Sequence, residues 1–287
     1  TKIKYSFFYL YKNNLPYQYF DIYNVTKNKK PSIKFNQDEK KIGENYLIKN
    51  GINQNKIICF INRDSSYYKV YTYEENRNSS IHLLLPGITN LAKKNYNPIR
   101  MGSIVKENIS TNNKKIINYA NSQSRTDFLD IYLISKCKFY ISTGTGLDSV
   151  ATLFRKPALI LNYSTFGNIE RNPNVIIFVP KLFWSNSKER FLSFKEIFEI
   201  GAHLFSGDDQ FEAYGIKLLD NSIENLSLSI DEMEKRVSKK WNDTKDDIAL
   251  QKRFKYLWPY EKMYDYEHKN NEIFIKSNKI PLISSNF

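Results

Sequence analysis

Short, almost uninterrupted apolar runs alternate with helix-type segments, and this constrains the fold of the chain more than any other feature. Lys56-Ile57-Ile58-Cys59-Phe60-Ile61-Asn62 has no polar face, so it reads as a strand covered on both sides, as in parallel sheets. A helix signal precedes it. Asn36 can cap, Glu39 follows three residues on, Ile42, Tyr46 and Leu47 share a face, and Gly51 marks the stop. Further on come a helix near 81–95, a strand at 97–102, a short apolar piece at 116–119, a helix at 126–136 and a strand at 138–142. A loop, Thr143-Gly144-Thr145-Gly146, then opens a helix at 147–154, followed by apolar runs at 158–162 and 175–179. A helix near 193–203, a strand at 216–219 and a helix near 222–239 complete the series. Strand–helix alternation with short links predicts right-handed βαβ crossovers, hence an α/β fold: a Rossmann-type parallel sheet with helices on both faces. Residues 1–55, with one short strand at 5–10, form an N-terminal segment; 56–240 form the sheet domain; 241–287 read as a mixed, charged tail.

Composition narrows the class. Lys and Arg number 43 against 30 Asp and Glu, a formal charge of +13, which bears on partners such as phosphates, anionic lipid heads or nucleic acid and not on fold. Cys59 and Cys137 lie in apparent strand and helix-end runs, which argues against a disulfide framework. No run of about 18 apolar residues occurs, and Thr1-Lys2-Ile3-Lys4 carries neither an initiating Met nor a signal-like apolar stretch. The expectation is a basic globular protein of a reducing, cytoplasmic compartment. His82, His203 and His268 are scattered without ligand spacing, so no metal site is expected.

In an open parallel sheet, ligands bind beyond the carboxyl ends of the strands, which directs attention to the residues following each one. Arg63-Asp64 follows the first strand, Arg100-Met101-Gly102-Ser103 the next, Ser142 to Gly146 another, and Asn162 yet another. The loop Ser142-Thr143-Gly144-Thr145-Gly146 offers hydroxyls and backbone N–H groups at a helix start, which suits a phosphate. It is equally a tight β–α turn capped by a hydroxyl. A dinucleotide fingerprint fits less well, since Ser149 replaces the third glycine and Asn162 stands where an acid would. Arg63 and Arg100 each present a planar fork fit for a bidentate grip on phosphate, or for an ion pair closing the sheet edge. Ahead of the helix at 126–136, Ser124 and Arg125 can reach a ligand, while Thr126 or Ser124 caps and Asp127 and Asp130 favour its first turn.

The run Phe60-Ile61-Asn62-Arg63-Asp64-Ser65-Ser66-Tyr67 and the run Ile99-Arg100-Met101-Gly102-Ser103 resemble a family of glycosyltransferases from bacterial surface-polysaccharide gene clusters. So do Asp127-Phe128-Leu129-Asp130-Ile131-Tyr132-Leu133 and Ser142-Thr143-Gly144-Thr145-Gly146-Leu147, and the resemblance spans most of 56–240. More distantly the segment is similar to the donor half of the GT-B fold, fucosyltransferase-like enzymes included. There a strand-end arginine in a His-x-Arg-x-x-Asp pattern holds the donor's β-phosphate. Ile61 stands in place of that histidine and Ser66 in place of that acid, and the phosphate role carries over to Arg63. The resemblance implies an acceptor lobe that is reduced or missing within residues 1–55, and a nucleotide-sugar donor domain at 56–240.

The expected function is therefore metal-independent transfer of a sugar from a nucleotide-sugar to a glycan or lipid-linked acceptor. No cofactor is expected, nor any nucleic acid, and a peripheral contact with the inner membrane face fits the basic charge. Arg63 and Asp64 are the catalytic candidates, with Asp64 as general base. Arg63, Arg100, Gly102 and Ser124 would bind the donor with the Ser142, Thr143, Gly144, Thr145, Gly146 turn, and Ser149 and Asn162 would touch its ribose, base or phosphate. A nucleotide-sugar 2-epimerase, or a basic module that binds an anionic surface or polysaccharide, are the alternatives.

Overall fold

Ile57, Ile58, Cys59 and Phe60 have no solvent-facing side, and in the computed structural model they form an interior strand of a parallel sheet, all four buried. The structure describes residues 30–66, 72–171, 174–258 and 282–283. The strand expected at 5–10 lies outside the described residues. The first described element is helix α1 (Gln37–Lys49), closed at its start as the sequence predicts: Asn36 accepts from the Glu39 amide at 2.8 Å and its own N–H donates to the Glu39 carboxylate at 2.7 Å. It ends at Asn50, with Gly51 at φ +62. The inward face differs from the expected one. Gly43, Tyr46 and Leu47 are buried, whereas Ile42 is 54% exposed. Glycine at 43 lets the helix lie directly on the Tyr132 ring.

The chain continues through β1 (Ile57–Phe60), α2 (Leu85–Lys93), β2 (Asn97–Arg100), α3 (Asp127–Lys136), β3 (Phe139–Ser142), α4 (Asp148–Leu153), β4 (Ala158–Tyr163) and β5 (Val175–Pro180). These five strands pair in parallel in the order β2-β1-β3-β4-β5. After them come β6 (Leu182–Ser185), β7 (Arg190–Phe191), α5 (Phe194–Ile200), α6 (Asp208–Ala213), β8 (Ile216–Leu219), α7 (Ile223–Val237), α8 (Lys245–Leu257) and β9 (Leu282–Ile283), which joins the outer edge of β5. The fold is α/β and Rossmann-like. Side chains alternate across the sheet: Ile57, Cys59, Tyr140, Ile160 and Phe178 share a core with α1, α3 and α8. Ile58, Phe60, Phe139, Ile141, Leu159 and Ile177 share the opposite one with α2 and α7. Helices thus cover both faces.

The segment 216–219, expected to extend the parallel series, forms a separate antiparallel sheet, β7-β6-β8, with Leu182 opposite Leu219. A run of four residues, Ile216-Lys217-Leu218-Leu219, carries no information on strand direction, and the β6 strand beside it is half-covered, with alternating burial. The tail expected from 241 begins with α8, whose Phe254, followed by Trp258, packs on the sheet side chain Phe178 and on Phe166. No helix among the described residues is long and apolar enough to cross a membrane.

A Cβ added at Gly43 would lie 2.3 Å from carbons of the buried Tyr132 ring. Gly43→Ala gains about 1 kcal/mol of helix propensity but overpacks a seam where such changes cost about 1–3 kcal/mol. The expected outcome is a lower melting temperature than wild type by thermal denaturation; a rise would refute this packing.

Candidate functional site

Between β1 and β3 the strand order reverses, since β1 is followed in sequence by β2 on one side and later by β3 on the other. A cavity of about 910 Å3 opens there, at the carboxyl ends of β1, β2 and β3. The loops 61–64, 102–105 and 144–147 form its floor and walls. Glu74 and Arg77 enter from the short 3-10 segment 72–77, and Arg125, Asp127 and Asp130 from the entry to α3.

One side is cationic. Arg63 Nη2 lies 2.6 Å from Glu74 Oε2, and Arg77 Nη1 lies 3.0 Å from that same oxygen. Arg77 also donates to the Gly144 carbonyl at 3.3 Å, and the Arg63 amide donates to Thr143 Oγ1 at 2.8 Å. The Arg77 guanidinium and the Arg63 backbone are thereby tied to the turn after β3. The segment that carries Glu74 and Arg77 is held from outside, because the amides of Glu75 and Asn76 donate to Asp208 at 2.8 and 2.9 Å.

The other side is acidic. Arg125 Nη2 bridges Asp130 Oδ2 at 2.6 Å and Asp127 Oδ1 at 3.1 Å. Asp127 is fully in solvent, whereas the Asp130 side chain is 8% exposed. Burial raises the Asp130 pKa from its ordinary value, and Arg125 offsets this only in part. Asp130 Oδ1 has no geometric hydrogen-bond partner among the described residues. The neighbouring Tyr119 hydroxyl commits its one proton to the Thr126 carbonyl at 3.0 Å. Thr126 caps α3 by accepting from the Leu129 amide at 3.1 Å.

The structure brings Arg63, Gly102, Gly144, Thr145 and Gly146 together around this cavity, but it places other expected residues elsewhere. Arg100 pairs in register with Phe60, so it points to the α2 and α7 side of the sheet. It is fully buried and outside the cavity lining, and its Nη1 donates to the Glu107 carbonyl at 2.6 Å, which secures the loop after β2. Asp64, expected as a general base, is already engaged. Its Oδ1 accepts from the Ser66 amide and hydroxyl, and its Oδ2 from the Lys106 amide at 2.8 Å. Burial acts to raise its pKa, but these bonds outweigh it and hold the carboxyl below its ordinary value. Asp64 is thus a staple for the loop 102–106.

In the turn after β3, the donors expected to face a phosphate serve Asp148. Ser142 Oγ donates to its Oδ1 at 2.6 Å, the Thr145 amide to its Oδ2 at 3.1 Å, and the Gly144 amide donates to Ser142 Oγ at 3.0 Å. The expected hydroxyl cap is not formed, since Leu147 stands before α4 with no side-chain cap; Ser142 instead braces the loop through the Gly144 amide, and Thr143 is buried beneath the Arg63 amide. Gly144 has φ +88, and a Cβ there would stand 2.7 Å from the Tyr163 ring, so only glycine allows this approach. Ser124 and Ser149 are exposed and do not line the cavity. Asn162 is buried: it donates to Ser79 Oγ at 3.1 Å and accepts from the Asn221 amide at 2.9 Å, tying β4 to the start of α7. Glu74 and Arg77 were not singled out in the sequence. They lie in a polar stretch without periodicity, and the available signal was its position as the link leaving the first strand.

A scan against protein-family models, a search of curated proteins and a search of solved structures each found no match.

Burial pushes Asp148 up to about 6 from its ordinary 3.8, against the opposing bonds from Ser142 and Thr145. The folded chain then holds more protons than the unfolded one between these values, so this residue's contribution to stability falls as pH rises from about 4 to 6. Asp148→Asn removes the effect. Melting temperatures from pH 4 to 7 are expected to drift in favour of the variant, by at most the equivalent of about 3 kcal/mol. A difference independent of pH would contradict this assignment.

Proposed function

We propose that the cavity binds the diphosphate of a nucleotide-sugar and that the chain transfers the sugar to a glycan or lipid-linked acceptor, as a GT-B-like glycosyltransferase. The observation that carries this reading is the convergence of Arg63 and Arg77 on a single Glu74 oxygen at the strand-order reversal. Two guanidinium forks brought to one oxygen in a partly buried site form an arginine pair, the usual protein solution for phosphate oxygens. The opposite wall suits the sugar. Carboxylates accept hydrogen bonds from hydroxyls, and on this wall Asp127 stands open to solvent with Asp130 behind it.

In the transfer, an acceptor hydroxyl attacks the anomeric carbon while the bond from that carbon to the diphosphate oxygen breaks. Charge accumulates on the departing nucleoside diphosphate, where Arg63 and Arg77 stabilise it without reorganising. The hydroxyl's proton goes to a carboxylate with capacity to take it, a part that suits Asp130 better than the fully engaged Asp64. A lipid-linked acceptor at the cytoplasmic membrane face agrees with the +13 charge. The same acidic wall also favours a second reading, a nucleotide-sugar epimerase, which would convert the donor with no acceptor present.

Nucleoside diphosphates are expected to raise the melting temperature of the wild-type chain. Arg63→Ala and Arg77→Ala should each weaken that binding at least about tenfold by calorimetry, the loss of one charge-assisted contact of about 1.5–3 kcal/mol. Indifference of the wild type to nucleoside diphosphates and to CMP would overturn the reading.

A further inference from the structure

The acidic wall holds a cation with one edge unused. Arg125 lines the cavity with its side chain 21% exposed, its Nε is buried, and its Nη2 is spent on Asp130 at 2.6 Å and Asp127 at 3.1 Å. Its Nη1 donates to no acceptor among the described residues, and the second oxygen of Asp127, whose side chain is 95% exposed, accepts from no donor among them. We infer that the Arg125–Asp127 pair reads two vicinal hydroxyls of the ligand, with Nη1 donating to one and the Asp127 carboxylate accepting from its neighbour. The inference rests on the reading of this cavity as a nucleotide-sugar site and adds which chemistry, beyond the diphosphate, that site selects.

Charge argues against an anion as the partner of Arg125. One guanidinium here faces two carboxylates, so this wall keeps no net attraction for a phosphate. What it offers is a donor beside an acceptor. Arginine only donates and a carboxylate only accepts, whereas a hydroxyl does both. A vicinal diol satisfies the pair by turning a lone pair of one hydroxyl to Nη1 and the proton of the other to Asp127. The spacing agrees as well. The two oxygens of such a diol stand about as far apart as the heavy atoms of a hydrogen bond, and Arg125 meets Asp127 at 3.1 Å.

The fork is also held from behind. Buried Asp130 fixes Nη2, the Arg125 amide donates to the Ser122 carbonyl at 3.1 Å, and the Thr126 amide donates to the hydroxyl of buried Tyr119 at 3.0 Å. Asp127 is the first residue of α3, whose start Thr126 closes. Arg125 therefore enters the cavity preorganised, and a ligand bears little of the cost of ordering it. Such a wall selects by exclusion. A ligand that fills the cavity without the diol leaves a donor and an acceptor unpaired, which disfavours it more than the diol is favoured.

Calorimetry on the full chain tests this with pyrophosphate, which has no hydroxyl pair, with UDP and GDP, with their 2′-deoxy forms, and with UDP-glucose and GDP-mannose; circular dichroism follows folding. Arg125→Ala removes the donor. Asp127→Ala removes the acceptor at a solvent-exposed position, and decides the matter should the loss of Arg125 leave Asp130 buried alone and unfold the chain. Each variant is expected to lose about tenfold in affinity for diol-bearing ligands, the worth of one charge-assisted hydrogen bond, and to change by less than about threefold with pyrophosphate. A loss on UDP or GDP that is absent from the 2′-deoxy forms assigns the diol to the ribose, and a loss confined to UDP-glucose or GDP-mannose assigns it to the sugar; either supports the inference. Diol-bearing ligands bound by Asp127→Ala as tightly as by wild type, or an equal loss with pyrophosphate, would overturn it while leaving the diphosphate site standing. Failure of the wild type to bind pyrophosphate or any of these nucleotides would instead overturn the site itself, and the inference with it.

Discussion

The reversal of strand order beside β1 is the constraint on which the site depends. Parallel backbone bonds bring the three strand ends level: the Ile61 amide donates to the Ile141 carbonyl at 2.9 Å, and the Met101 amide to the Phe60 carbonyl at 2.8 Å. The chain leaving β1 turns to one face, where α2 packs with Ile58 and Phe60. The chain leaving β2 turns to the other, where α3 packs with Cys59 and Tyr140. Connections that diverge in this way leave a crevice that neither helix can fill, and the loop residues around it are free to carry polar chemistry.

Within the crevice, local pairing and not residue type decides what each carboxylate can do. Asp64 and Asp148 are both saturated by backbone and hydroxyl donors, yet their protonation shifts in opposite directions. Hydrogen bonds win at Asp64, whereas burial wins at Asp148. Asp130 is buried as well, but it meets Arg125 through one oxygen only. Glu74 is the least buried of those that touch an arginine fork in the cavity wall, apart from the open Asp127. A static inventory of acids in the sequence ranks these four alike; their surroundings separate them.

The sheet was legible because its strands are nearly all apolar, and the α1 start because Asn36 and Glu39 form a short-range device whose geometry is fixed by spacing alone. Arg63, the turn at 144–146 and Gly102 were legible too, since residues just past strand ends face the crevice by topology. What escaped had physical causes. Arg100 is the last residue inside a strand covered on both faces, so its alternation gave no outward side, and the register with Phe60 sends it away from the crevice. The antiparallel arrangement of β8 was hidden in a run too short to encode direction. Arg77 belongs to a connection whose path depends on a partner more than a hundred residues away.

That partner gives the accessory sheet a purpose. Asp208 opens α6, the helix that leads directly into β8, and the same carboxylate grips two successive amides of the 72–77 segment. The small three-stranded layer and the rim of the crevice are therefore mechanically continuous. A substitution at Asp208, far in sequence from the strand ends, would thus act on the backbone that carries Arg77 while leaving the parallel sheet and its strand-end loops unchanged.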